Sequence, residues 1–167
     1  MARIGIVTAA PSGLINGNHL TSTRWAAIFE DLGHSVEIIP KFSGQSYDYL
    51  VVLHAFMCAD SVVSGKAAGI PVILALTGTD LYRDLSDKPE ALKSMELADS
   101  LIALQDQAYL NLPKELQSKV VVNYQSSKKV SPFSFPEDEV SVIVVGNLRD
   151  VKAPFLCEEA SRRLEEK

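Results

Sequence analysis

Residues 77–84, Thr-Gly-Thr-Asp-Leu-Tyr-Arg-Asp, put two hydroxyls, two carboxylates, a phenol and a guanidinium directly behind an apolar run at 71–76. An open α/β sheet places its ligand beyond the carboxyl end of a strand, which is where this string falls if 71–76 is one. Thr77, Gly78 and Thr79 offer hydroxyls and backbone N–H groups to sugar or phosphate oxygens. Asp80 can accept from a ligand hydroxyl or cap the turn that follows it. Arg83 suits a bidentate anion contact, with pairing to Asp84 or Asp87 as the alternative.

Three further groups carry candidate chemistry. The loop after the first apolar run, residues 8–19, contains Gly13, Gly17 and Asn18; glycines let the backbone approach a ligand, and the next helix offers free N–H groups to an anion. A plain surface loop with a Ser/Thr cap explains it equally well. The spacing is not GxGxxG and no acidic residue closes the second strand, so a dinucleotide site is not indicated. His54 ends the third apolar run and would share the same rim, either as a structural imidazole or, with Asp80, as a candidate catalytic group. His34 follows the Gly33 helix stop, where a ring can bond the last carbonyls. At 146–154, Asn147, Arg149 and Lys152 join an apolar run to a helix. Cations there oppose the helix dipole and suit a ligand with two phosphates.

The elements that must position these residues are legible as alternating short apolar and longer amphipathic runs. Strands are predicted at 4–8, 36–39, 49–54, 71–76, 100–104 and 120–122. Helices are predicted at 21–32, 56–68, 88–98 and 107–117, the last interrupted at Pro113. That rhythm is the βα repeat of an α/β fold, a doubly wound Rossmann-like parallel sheet. Residues 1–124 form this lobe. Residues 125–139, with four serines, two lysines and two prolines, read as a linker. A strand at 140–145 and a helix at 154–167 form an appended C-terminal strand-helix unit.

At 167 residues the chain is one domain's length, and 47% hydrophobic with 22% charged residues is a globular composition. A net charge of -5 argues against a nucleic-acid partner. Cys58 and Cys157 stand apart, in neither a CxxC nor a Cys/His cluster, so the expectation is free thiols and no metal site. No apolar segment reaches the roughly 18 residues of a membrane span, and the N-terminus is too short for a signal peptide; the expected location is cytoplasmic.

These residues together resemble the N-terminal lobe of a GT-B glycosyltransferase. Gly146-Asn147-Leu148 with Lys152-Ala153-Pro154 is similar to the segment that opens the donor lobe in retaining family 4 glycosyltransferases, with Asn147 at the usual arginine position. A narrower resemblance is to the selenosugar synthases of selenoneine biosynthesis. It is carried by 4–8 with Pro11, by Gly17-Asn18 with Thr21 and Arg24-Trp25-Ala26, by Leu53-His54-Ala55, and above all by 75–85. Glu96-Leu97-Ala98-Asp99 and Leu104-Gln105 continue it.

The resemblance implies sugar transfer from a UDP-sugar to a small phosphorylated selenium or sulfur acceptor such as selenophosphate, with no cofactor. It implies acceptor or substrate contacts from Gly13, Gly17, Asn18, Arg24, Thr77, Gly78, Thr79, Tyr82 and Arg83, and donor-diphosphate contacts from Asn147, Arg149 and Lys152. It also implies a second lobe of which 140–167 is the opening, so the chain is expected to be inactive without a donor lobe or to pair with itself. The alternative is a non-catalytic module that binds a small anion or sugar phosphate.

Overall fold

A computed structural model describes residues 1–9, 16–132, 134, 142–146 and 153–165. Two units divide the chain, Met1–Ser127 and Lys128–Lys167.

The first unit is a six-stranded, all-parallel sheet of β1 (Arg3–Thr8), β2 (Ser35–Ile39), β3 (Tyr49–Leu53), β4 (Val72–Leu76), β5 (Ser100–Ala103) and β6 (Val120–Val122), in the order β2-β1-β3-β4-β5-β6. The apolar runs form strands because both faces are covered, and successive residues alternate between two cores. Val7, Leu50, Val52, Val72, Leu74 and Leu101 enter one core, shared with α2 (Ala59–Ala67) and α5 (Pro89–Leu97). Ile4, Ile6, Val51, Leu53 and Ala75 enter the other, under Trp25 of α1 (Gly17–Asp31). Helices on both faces of a parallel sheet make this a Rossmann-like doubly wound α/β fold.

Helix ends follow local chemistry. α1 and α2 both stop in a left-handed glycine, Gly33 at φ 85° and Gly69 at φ 74°. In each case the glycine N–H and the next N–H reach back to carbonyls of the last turn: Gly33 to Glu30 and His34 to Phe29, Gly69 to Lys66 and Ile70 to Gly65. His34 then packs edge-on to Phe29 while its Nδ1 accepts the Ala2 N–H.

The structure moves several boundaries. α1 begins at Gly17, four residues before the expected start, because Asn16 is its cap and accepts the His19 N–H at 2.9 Å. Gly17 and Asn18 are therefore helical and not loop. α2 begins at Ala59, after a turn from His54 to Cys58. The expected helix at 107–117 is a 3₁₀ turn, Asp106–Asn111, and then α6 (Lys114–Gln117), since Pro113 cannot donate within a continuous helix. Two single-turn helices, α3 (Thr79–Tyr82) and α4 (Asp84–Asp87), stand where only a loop was expected.

In the second unit, α7 (Leu156–Glu165) places Glu158 and Glu159 in its first turn and Arg162 and Arg163 in its last, complementing the helix dipole. The expected strand at 140–145 does not form over its described residues. Residues 142–145 are in no ladder, and Val142, Ile143, Val144 and Val145 are exposed; an apolar run without a neighbouring strand has nothing to pair with. No helix among the described residues is long and apolar enough to cross a membrane.

Candidate functional site

The chain leaves β1 for β2 on one side and returns to β3 on the other, so the carboxyl ends of β1 and β3 border the crevice at which such sheets bind ligands. Thr8 ends β1 opposite Leu53 of β3, and His54 comes next. β4 lies beside β3 and delivers residues 77–84 to the same edge.

Asp80 organises that edge. It is fully buried, and its Oδ2 accepts the N–H groups of Ala55 at 3.0 Å and Thr77 at 3.1 Å, while Oδ1 accepts that of Gly78 at 2.8 Å. Three charge-assisted bonds offset the burial of the carboxylate and tie the end of β4 to the end of β3. Gly78 sits at φ 125°, a conformation that side chains rarely adopt, and it starts α3.

His54 is held in a strained backbone at φ 84°. Such a residue costs roughly 1–3 kcal/mol and persists only where its surroundings enforce it. Its Nδ1 accepts the Met57 N–H at 3.2 Å, so the proton of the neutral ring lies on Nε2. Nε2 is 2.9 Å from Thr79 Oγ1 and 3.7 Å from Asp84 Oδ2. A hydroxyl, an imidazole and a carboxylate thus meet, but hydroxyl and carboxylate share one ring nitrogen. In a nucleophilic triad they take opposite nitrogens, so the ring does not relay a proton from Thr79 to Asp84.

Asp84 is the residue that sequence reasoning treated only as a partner for Arg83. Its side chain is 4% exposed, Oδ1 accepts from Arg83 Nε at 2.7 Å, and Oδ2 is buried with no hydrogen-bond partner among the described residues. Thr8 Oγ1 is likewise buried and without a partner among the described residues. The hydrogen bond that Arg83 donates to Asp84, and then the Asp84 charge, raise the already high pKa of the guanidinium. The signal available for Asp84 was its place four residues after Asp80, one helical turn on. For Thr8 it was only the end of a buried strand.

No family model and no curated protein matches this chain.

The remaining expected residues divide. Thr77, Gly78 and Thr79 join His54 and Asp80 at the edge. Tyr82 is exposed, and its hydroxyl accepts from the Gln105 amide beside a hollow of about 230 Å³ lined by Leu76, Gly78, Leu81 and Leu104. Gly17 and Asn18 occupy the first turn of α1. Arg24 lies two turns along α1 and donates to Ser126 Oγ at 3.1 Å; Gln125 similarly donates to Thr21. Ser126 also lines a second cavity, of about 290 Å³, between Trp25 and Phe29 of α1 and the sheet residues Val51, Ile73 and Ile102. No hydrogen bond among the described residues connects Arg24 to the His54 group. Gly13, Asn147, Arg149 and Lys152 lie outside the described residues.

Proposed function

We propose that this sheet edge is the acceptor side of a glycosyltransferase that moves a sugar from a UDP-sugar to a small phosphorylated selenium or sulfur nucleophile, selenophosphate being the type. The observation that supports it most is the convergence of His54, Thr79, Asp80 and Asp84 beside the β1/β3 crevice, with buried oxygens of Thr8 and Asp84 left unpartnered. The strand-end position of these residues supports a ligand edge, and the resemblance of 75–85 supports the reaction.

In this reading Thr77, Thr79 and Arg83 hold the acceptor anion. The selenium or sulfur lone pair forms a bond to the anomeric carbon as the carbon–oxygen bond to the diphosphate breaks, and UDP leaves with that electron pair. Asn147, Arg149 and Lys152 would meet the diphosphate, together with a donor lobe supplied by more chain or by another chain. Such chemistry depends on positioning and on charge stabilisation of the leaving group. Asp80, with both oxygens taken by backbone amides, acts in it by fixing the edge.

Isothermal titration with selenophosphate and thiophosphate tests the acceptor side. Binding by the native chain that Arg83→Ala abolishes is the expected result. Mass spectrometry after addition of a UDP-sugar and a separately expressed donor lobe is expected to find a sugar–selenium or sugar–sulfur product. Absence of both acceptor binding and product overturns the proposal. A second reading, a non-catalytic binding module for a small anion or sugar phosphate, is favoured by one observation: the imidazole nitrogens of His54 and both oxygens of Asp80 are already engaged. It predicts binding without turnover.

A further inference from the structure

We infer that Asp84 is the positioning residue of this edge, a single buried carboxylate that aims two ligand donors outward, the Thr79 hydroxyl and the Arg83 guanidinium. The inference rests on the acceptor reading above and deepens it by naming how the edge recognises an oxyanion.

The geometry supplies each link. With the Met57 N–H on Nδ1, the ring of His54 carries its proton on Nε2. That proton has one acceptor within hydrogen-bond distance, Thr79 Oγ1 at 2.9 Å, and Asp84 Oδ2 stands 3.7 Å away. The longer separation is beyond a hydrogen bond, yet a carboxylate that close to the nitrogen favours a proton there over a lone pair. His54 therefore donates to Thr79, whose oxygen is the acceptor in that bond. The Thr79 hydroxyl proton is left to point elsewhere. Thr79 is half-buried, whereas His54 and Asp84 are 5% and 4% exposed at the side chain. The only member of the chain that can meet a ligand is thus the one with a proton to give.

On its other oxygen Asp84 takes Nε of Arg83, whose side chain is 63% exposed. One guanidinium edge is fixed, and its terminal nitrogens remain for a planar, bidentate contact. The guanidinium is a donor only and the Thr79 hydroxyl has a proton free to give, which favours an oxyanion over a cation or an apolar group. The arrangement also accounts for the unpartnered Oδ2. A buried carboxylate oxygen without a hydrogen bond is costly, and here its charge is used to set the ring.

The test uses thiophosphate and inorganic phosphate as probes, with ¹⁵N NMR of the His54 ring. In Asp84→Asn the amide NH₂ faces Nε2–H or abandons Arg83. The Nε2 resonance of the native ring is expected to shift as the neighbouring carboxylate charge is lost, while the Met57 N–H holds the tautomer, with the fold checked by circular dichroism. Affinity for thiophosphate is expected to fall about tenfold or more in Asp84→Asn and in Thr79→Val, as for loss of a hydrogen bond to a charged group. Thr79→Ser is expected to retain it. The double variant Asp84→Asn/Thr79→Val is expected to lose less than the two single losses combined, because both act on one donor.

An unchanged ring signature in Asp84→Asn, or single losses that simply add, overturns the inference. A native chain that binds neither anion overturns the acceptor reading and with it the role of the two donors; the ring signature then reports separately whether Asp84 acts on the His54 ring.

Discussion

Asp80 Oδ2 accepts the backbone N–H of Ala55 at 3.0 Å, so a side chain from the end of β4 completes the hydrogen bonding of the turn that leaves β3. The same carboxylate serves Thr77 and Gly78. Asp80→Ala strands three amides and is expected to lower stability by about 3 kcal/mol or more. Asp80→Asn, which retains one acceptor oxygen, is expected to lose less. Urea denaturation measures both; a loss under about 1 kcal/mol for the alanine variant would falsify the assigned role.

His54 provides a cleaner comparison. Both His54→Ala and His54→Gly remove the ring and its bonds to Met57 and Thr79, but only alanine keeps a Cβ at φ 84°. The glycine variant is expected to be the more stable of the two by about 1 kcal/mol. Equal melting temperatures would mean that the backbone relaxes on losing the ring.

The two thiols differ in reactivity. Burial, with the Asp80 charge adding to it and a backbone bond to Ala9 opposing it, pushes Cys58 from its ordinary value of 9.0 up to about 11. Cys157 is exposed. Iodoacetamide at neutral pH is expected to modify Cys157 and to leave Cys58 until the chain unfolds. A raised thiol also stabilises the folded state in full below pH 9 and loses that contribution as pH rises through about 11. Cys58→Ala is expected to flatten this alkaline limb in a plot of stability against pH; an unchanged limb would assign it to other groups.

Gly65 of α2 faces β3 so closely that a Cβ there would lie 2.5 Å from Leu50 Cδ1. Leu50 is fully buried. Gly65→Ala is expected to destabilise by about 1–3 kcal/mol despite alanine's better helix propensity. Thermal unfolding decides the sign: a gain would show that Leu50 repacks without cost.

The sheet was legible because the runs 50–53 and 71–76 are apolar at every position, and because Gly33 and Gly69 stop the helices that precede β2 and β4. The parallel, doubly wound class followed from the βα rhythm, and the place of residues 77–84 from the end of a strand; the strand order itself is seen only in the structure. What stayed hidden depends on one residue meeting another far along the chain. Asn16 looks like any loop asparagine until its oxygen is seen on the His19 N–H. Asp84 carries no mark that one oxygen is buried beside His54, thirty residues earlier in the chain. The run 140–145 has strand composition, but composition cannot supply a neighbour, and residues 142–145 pair with no strand among the described residues.

The close seat of Leu50 against two glycines bears on how the strands find their alignment. Sheets with one wet face are aligned by polarity, since a one-residue slip would turn apolar side chains to water. β3 is apolar on both faces, so a slip of one residue would exchange one oily surface for another with little change in solvation. Shape must discriminate instead. The absent side chains of Gly5, where a Cβ would stand 2.9 Å from Leu50 Cδ2, and of Gly65 form a notch that only one residue of β3 fills. Leu50 acts as the key in that notch, and the neighbouring strands are phased by it.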